Sequence, residues 1–108
     1  MKEEIFEYYC RSVCHRFNLS YKDLFVKSKI RNVVDARYLL FYLCHQRPMR
    51  IRDIQQFMSE RGYSTEHTTI MYGLKRVTSL VKNDTDYKVL IKELKEHVIQ
   101  PEGSIRPS

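Results

Sequence analysis

The sequence predicts an all-α domain, a bundle of five to six helices that contains a helix–turn–helix. Three observations carry this expectation. Apolar residues recur at three- and four-residue spacing in each long segment, the period of a helix with one buried face. No segment alternates apolar and polar residues as a half-buried strand would. Only 3 glycines and 3 prolines stand among 108 residues, which leaves little room for loops. Hydrophobic residues make up 43% of the chain, enough for a modest single core.

The first helix is expected from about residue 3 to Phe17, with Ile5, Phe6, Tyr9, Val13 and Phe17 as its stripe and Cys10 and Cys14 beside it. Asn18-Leu19 breaks it. Ser20 followed by Asp23 reads as a capping box with Asp for the usual Glu, opening a short second helix that ends near Phe25. A basic loop, Lys27 to Arg31, comes next. Asn32 with Asp35 repeats the capping pattern and opens a third helix through about Gln46. Val33, Val34, Ala36, Leu39, Leu40, Phe41, Leu43 and Cys44 make that helix apolar around much of its surface, so it should lie central and buried. Arg47-Pro48 ends it.

The fourth helix spans roughly Arg50 to Glu60, with Ile51, Ile54, Phe57 and Met58 inward. Arg61-Gly62-Tyr63 is the turn, with Gly62 as its left-handed residue. Ser64 or Thr65 then serves as N-cap of a fifth helix reaching about Leu80, because a hydroxyl there accepts a bond from an unpaired helix N–H. Ile70, Leu74, Val77 and Val81 form its stripe, and with the fourth helix it makes the helix–turn–helix pair. A last helix from about Asp84 to Ile99 faces the core with Tyr87, Leu90, Ile91, Leu94 and Val98. Residues 1–99 are thus expected to form one domain. Residues 100–108, with Pro, Gly and Ser and no periodicity, read as a disordered tail.

Charge narrows the function classes. The formal net charge is +6. The window from Lys22 to Arg52 alone accounts for it, with eight basic residues against Asp23 and Asp35, and the rest of the chain cancels. A basic patch on an otherwise neutral chain is the electrostatic footprint of a polyanion binder, although a solvated basic face kept for solubility has the same composition. No stretch is apolar enough to cross a membrane, and Met1-Lys2-Glu3-Glu4 does not begin a signal peptide, so an intracellular location is expected.

Cys10 and Cys14 lie one helical turn apart, and Cys14 and Cys44 each precede a His, which allows a zinc site on paper. Their mid-helix, apolar setting favours buried free thiols instead. His67 beside Glu66 is no base and orienter, since adjacent helical residues point in different directions. No nucleophile elbow, paired carboxylates or metal-ligand set appears, so neither an enzyme, a metal nor a cofactor is expected.

The stretch from Ser64 to Val77 concentrates the recognition chemistry. Thr65, Thr68, Tyr72, Lys75, Arg76 and Ser79 point away from the apolar stripe, and Glu66 and His67 stand in the first turn. A helix start carrying donors, acceptors and a threonine methyl suits base edges in a major groove, with Lys75 and Arg76 left for phosphates. Glu66-His67-Thr68-Thr69-Ile70 resembles the Asp-His-Thr-Thr-Val run of the C-terminal DNA-binding domain of the bacterial replication initiator DnaA. Further stretches resemble that family in the same order. They are Ile5-Phe6-Glu7-Tyr8-Tyr9, Leu19-Ser20-Tyr21-Lys22-Asp23-Leu24, the basic loop, and Val33 to Leu43 of the central helix.

The resemblance covers roughly residues 5 to 98 and implies the Trp-repressor-like helical fold of that domain. It further implies double-stranded DNA as partner, in replication or transcription control. Glu66, His67 and Thr68 would read base edges, with Thr65 beside them, and Thr69 would touch phosphate or buttress the helix start. Arg31 would enter the adjacent minor groove, and Lys27, Lys29 and Arg37 would contact the backbone. The turn from Ser59 to Ser64 is longer than the family's by several residues, Ser64-Thr65 stands where the family has Gly-Arg, and Glu66 replaces its Asp. Either carboxylate can accept from a cytosine amino group.

The 108 residues hold no Gly-x-x-x-x-Gly-Lys-Ser/Thr run, so nucleotide binding and ATPase activity are not expected of them. A stand-alone domain of this kind would be a small regulator, as from a phage or mobile element acting in the host cytoplasm. A monomer is expected, since no heptad or pairing strand is visible. The competing reading is a non-catalytic protein-interaction or structural module that keeps the fold without binding DNA. The longer turn, the acidic Glu66 and the 8 tyrosines leave room for a protein partner. The two readings part on whether Lys27, Lys29, Arg31, Lys75 and Arg76 join the Thr65–Thr68 turn in one positive face.

Overall fold

A computed structural model describes the backbone of residues 2–99 and the side chains of residues 2–95. It consists of α1 (Lys2–Phe17), a single 3-10 turn (Tyr21–Phe25), α2 (Arg31–His45), α3 (Ile51–Glu60), α4 (His67–Asn83) and α5 (Thr85–Ile99). The fold is all-α and matches the expected helix order. The tail expected at 100–108 and the inward face of Val98 lie outside the described residues.

α2 is the hub. Its buried residues Val33, Ala36, Leu39, Leu40, Phe41, Leu43 and Cys44 surround most of the helix, and it packs against α1 on one side and α4 on the other. α1 contributes Phe6, Tyr9, Cys10, Val13 and Cys14, α3 contributes Ile54 and Met58, and α4 contributes Ile70 and Val77. α5 closes the bundle over α1 and α4 with Leu90, Ile91 and Leu94. The three cysteines are free and buried, as their apolar settings suggested. Burial pushes the Cys14 thiol up to about 11 and raises Cys10 and Cys44 further, so none is a ready nucleophile.

Local chemistry explains the joints. α1 ends with Asn18 in the left-handed region (φ 58°), and the Leu19 N–H donates back to the Cys14 carbonyl over 2.8 Å. α3 ends the same way, with Gly62 at φ 93° and the Tyr63 N–H donating to the Met58 carbonyl at 3.0 Å. At the 3-10 turn the Asp23 carboxylate accepts from the Ser20 N–H at 2.9 Å, the reciprocal half of the expected capping box. Asp84 ends α4, and its side chain accepts from the Asp86 N–H at 2.9 Å to start α5.

Two starts differ from expectation. α2 begins at Arg31 with Ile30, not Asn32, in the N-cap position, because the Ile30 carbonyl already takes the Val34 N–H at 3.1 Å. Asp35 therefore falls beyond the first turn and caps nothing. α4 begins at His67 with Glu66 as N-cap rather than at Ser64 or Thr65, and it runs to Asn83. The physical reason sits in α3. Gln55 Nε2 donates to the Thr65 carbonyl over 3.1 Å, which ties the residue to the connection instead of the helix.

Candidate nucleic-acid interface

The helix–turn–helix pair is clamped from behind by Arg61, the C-cap of α3. Its Nε donates to Glu7 Oε2 at 2.7 Å and to the Tyr21 hydroxyl at 3.1 Å, its Nη2 reaches Glu3 at 3.0 Å, and its Nη1 donates to the Phe57 carbonyl at 2.8 Å. The guanidinium also lies 4.9 Å from the Phe6 ring centre. Burial alone would raise the Glu7 carboxyl, but the Tyr21 hydroxyl and the Arg61 cation outweigh it and hold the group below its ordinary value. Turn, α1 and the 3-10 segment are thereby tied at one point.

In front of that clamp stands the start of α4. Glu66, His67, Thr68 and Thr69 are exposed in succession, Thr65 is half-buried, and Ile70 is the first residue to enter the core. No side chain caps this helix, so the N–H groups of its first turn carry no side-chain partner. Four polar side chains and open N–H groups thus project from a helix end whose own anchoring is done one residue later.

The basic loop lies against one flank of α4. Lys29, Arg31, Tyr38, Tyr72 and Arg76 line a cleft of about 220 Å³, together with Val34 and Asp35. Three cations therefore face one carboxylate. Behind it, a cavity of about 140 Å³ brings Ser28 of the loop together with Thr65 and Thr69 of the helix start. Loop and helix start hence meet at Ser28, and the two spaces adjoin through Val34 and Tyr38. Lys27 is exposed at the loop's beginning but lines neither space. Lys75 turns to the other flank of α4, into a groove with His45, Ser79 and Lys82. The expected positive face thus divides: Lys29, Arg31 and Arg76 stand on one side of α4, Lys75 on the other.

Arg37 has a different place from the one expected of a backbone contact. It is only 5% exposed. Its Nε donates to the Leu24 carbonyl at 2.8 Å, its Nη2 donates to the Val26 carbonyl, and its guanidinium stacks 4.3 Å from the Tyr63 ring centre. Its Nε and Nη2 are thus engaged by backbone carbonyls within the fold. Arg37 holds the basic loop's root to α2 and to the turn.

Two tyrosines not singled out among the site residues line the same cleft. Tyr72 is 58% exposed and packs edge-on against Tyr38, with ring centres 5.8 Å apart. Gly73 makes this possible, because a Cβ there would stand 2.6 Å from Tyr38 Cδ1. The helical-wheel position of Tyr72, outward and one turn after Thr68, was the available signal. The Tyr38–Gly73 fit needs the fold to be known.

Comparison with known proteins bears on the same segments. The family described as bacterial DnaA protein helix-turn-helix matches residues 7–77. Among relatives, the chromosomal replication initiator protein DnaA of Campylobacter jejuni subsp. doylei is 31% identical over 87 residues, covering 81% of this chain and 19% of that protein. The DnaA of Sulfurimonas denitrificans is 32% identical over 84 residues, 78% of this chain and 19% of the relative. That of Leptospira biflexa is 26% identical over 86 residues, 80% and 19% respectively. The chain therefore spans about a fifth of the length of the curated relatives it matches. No solved structure matches it. Among the described residues, no helix is long and apolar enough to cross a membrane. With the family's match running from α1 through the exposed helix start to Val77, the chain belongs to the helix-turn-helix family of the bacterial DnaA protein.

Proposed function

We propose that this chain is a non-catalytic, double-stranded DNA-binding domain that prefers particular sequences. The N-terminal end of α4 enters the major groove, where Glu66, His67 and Thr68, with Thr65 and Thr69 beside them, meet base edges and the nearest phosphate. The loop from Lys27 to Arg31 reaches the adjacent minor groove through Arg31. Lys29, Arg76 and the Tyr72 hydroxyl take the phosphates between the two grooves, and Lys75 takes the backbone on the far side of α4. Contacts of the first kind specify and those of the second position.

The observation that carries this reading is the nearness of the basic loop to α4. Ser28 of the loop shares a cavity with Thr65 and Thr69, and Lys29 and Arg31 share the adjoining cleft with Arg76. Cations on both flanks of the helix suit a groove walled by two phosphate strands. The relatives are named chromosomal replication initiator proteins, which favours replication, or control linked to it, as the setting. The chain acts as a monomer on one site, without nucleotide.

Selection from a random duplex library, followed by anisotropy titration of winners and of the unselected pool at two salt concentrations, tests this. An enriched motif bound at least 100-fold more tightly than the pool is the expected result, on the order of the usual specific-to-nonspecific ratio or below it. Salt-sensitive binding without a motif would replace sequence preference by a generic DNA-coating role. Absence of binding at low salt would overturn the DNA reading in favour of a protein-interaction module.

A further inference from the structure

The basic loop carries a residue that neither phosphate contact nor hydrogen-bonded base reading uses. Ile30 is 66% exposed, the most exposed of the large apolar side chains among the described residues. It occupies the N-cap position of α2, where Ser, Thr, Asp or Asn would stabilise the helix start, and it makes no side-chain capping bond. Its neighbours on both sides, Lys29 and Arg31, are exposed and line the cleft with Tyr72 and Arg76.

The backbone beneath it is held on both sides. The Ile30 N–H donates to Ser28 Oγ at 3.2 Å, and its carbonyl accepts from the Val34 N–H at 3.1 Å. A β-branched side chain has few rotamers to lose. The result is a stiff apolar projection between two cations, on the loop that flanks the DNA-reading helix.

Building on the DNA reading above, we infer that Ile30 is a minor-groove wedge, inserting at a base step that Lys29 and Arg31 bracket and opening that step toward the major groove. An isoleucine can neither pair with phosphate nor cap α2. It does fit the apolar sugar walls of a minor groove and the faces of partly unstacked bases, the use to which architectural DNA binders put Ile, Leu, Met and Phe. The ligand feature it selects is a deformable pyrimidine–purine step, TA or CA/TG, because such steps unstack most readily. Specificity would then arise at a position where the protein makes no hydrogen bond to a base edge.

The test uses the full chain and a duplex from the selection experiment, end-labelled for energy transfer and carrying 2-aminopurine at each adenine position in turn. With wild-type protein, binding should bend the duplex and brighten 2-aminopurine at one step beside the loop. Replacing that step with AA should weaken wild-type binding about tenfold, the discrimination typical of one mismatched pair. Ile30→Ser should remove the bend and the fluorescence change, and should bind both duplexes with equal affinity. Ile30→Leu should retain all three effects. Circular dichroism confirms that each variant folds, which is expected at so exposed a position.

If Ile30→Ser bends and brightens the duplex as wild type does, the wedge is refuted while DNA binding stands. If wild type binds no duplex at all, the DNA reading itself fails and takes the wedge with it. The two failures are therefore distinct.

Discussion

Arg37→Met offers the sharpest test of how the interface is built. The substitution keeps an apolar stem and removes the guanidinium. It deletes the 2.8 Å bond to the Leu24 carbonyl, the bond to the Val26 carbonyl and the 4.3 Å stack on Tyr63. A hydrogen bond from a charged donor contributes about 1.5–3 kcal/mol, and a partly desolvated cation–π contact adds about 0.5–2 kcal/mol. Relief from burying a charge offsets part of this, as does the retained stem packing. A net loss of about 2–4 kcal/mol follows. For a domain near 100 residues, about 4–8 °C per kcal/mol converts this to a fall in Tm of roughly 8–32 °C.

Urea and thermal unfolding followed by circular dichroism measure the loss directly. Arg37→Lys should recover little, because one ammonium cannot donate to both carbonyls and stack on Tyr63 as a planar fork does. Anisotropy titration below the melting range supplies the contrast. DNA binding by the folded fraction should keep its salt slope, since no phosphate contact is removed. Unchanged stability together with a salt slope reduced by about one would refute the reasoning and return Arg37 to the DNA backbone.

Four further outcomes are expected. Glu7→Gln should destabilise the protein near neutral pH, and the deficit should shrink on acidification. The folded carboxyl of Glu7 is held below its ordinary value, so its contribution is complete above the unfolded value near 4.5 and is lost as pH falls through the folded one. Melting curves of both proteins from pH 7 to 3 should therefore converge, and parallel curves would remove Glu7 from the clamp. Gly73→Ala should lower stability by about 1–3 kcal/mol through the Tyr38 clash, despite a helix-propensity gain near 1 kcal/mol. In a Tyr38→Ala background the same change should stabilise, which chemical denaturation reads as a reversal of sign. His67→Ala should relax sequence preference at one or two base pairs by about 1–3 kcal/mol each. Lys75→Ala should weaken binding evenly across sequences and lower the salt slope by about one. Selection and salt titration separate the two.

What could be read from the chain alone follows from range. Stripes such as Phe6-Tyr9-Val13 and Ile70-Val77 are set by neighbours three to seven residues away, and they lie in the core as their spacing implied. The turn at Gly62 is equally local, since its left-handed backbone and the Tyr63-to-Met58 bond involve six consecutive residues. The departures are long-range. Glu66 rather than Thr65 precedes α4 because Gln55, ten residues upstream, holds the Thr65 carbonyl. Arg37 leaves the exposed cations because carbonyls thirteen and eleven residues before it claim its donors. Arg61 finds Glu3 and Glu7 more than fifty residues away, a pairing that no spacing encodes. In the interface, the exposed run from Glu66 to Thr69 was legible because an amphipathic helix must expose its polar start. The Tyr38–Tyr72 pair was not, since it depends on how closely α2 approaches α4 at Gly73.

The boundary between Thr69 and Ile70 has a consequence for how such a protein can change over generations. On its N-terminal side, four successive side chains touch solvent, and on the other the core begins without transition. Substitutions at exposed positions that make no capping bond or buried contact usually shift stability by less than about 0.5 kcal/mol, and Glu66, although the N-cap residue of α4, makes no side-chain capping bond. These four exposed letters can therefore drift with little load on folding, as type can be reset in a frame that stays locked. A lineage carrying this chain could acquire a new target in single steps, each intermediate still folded. Libraries randomised at positions 66 to 69 should be rich in intact proteins and varied in what they bind.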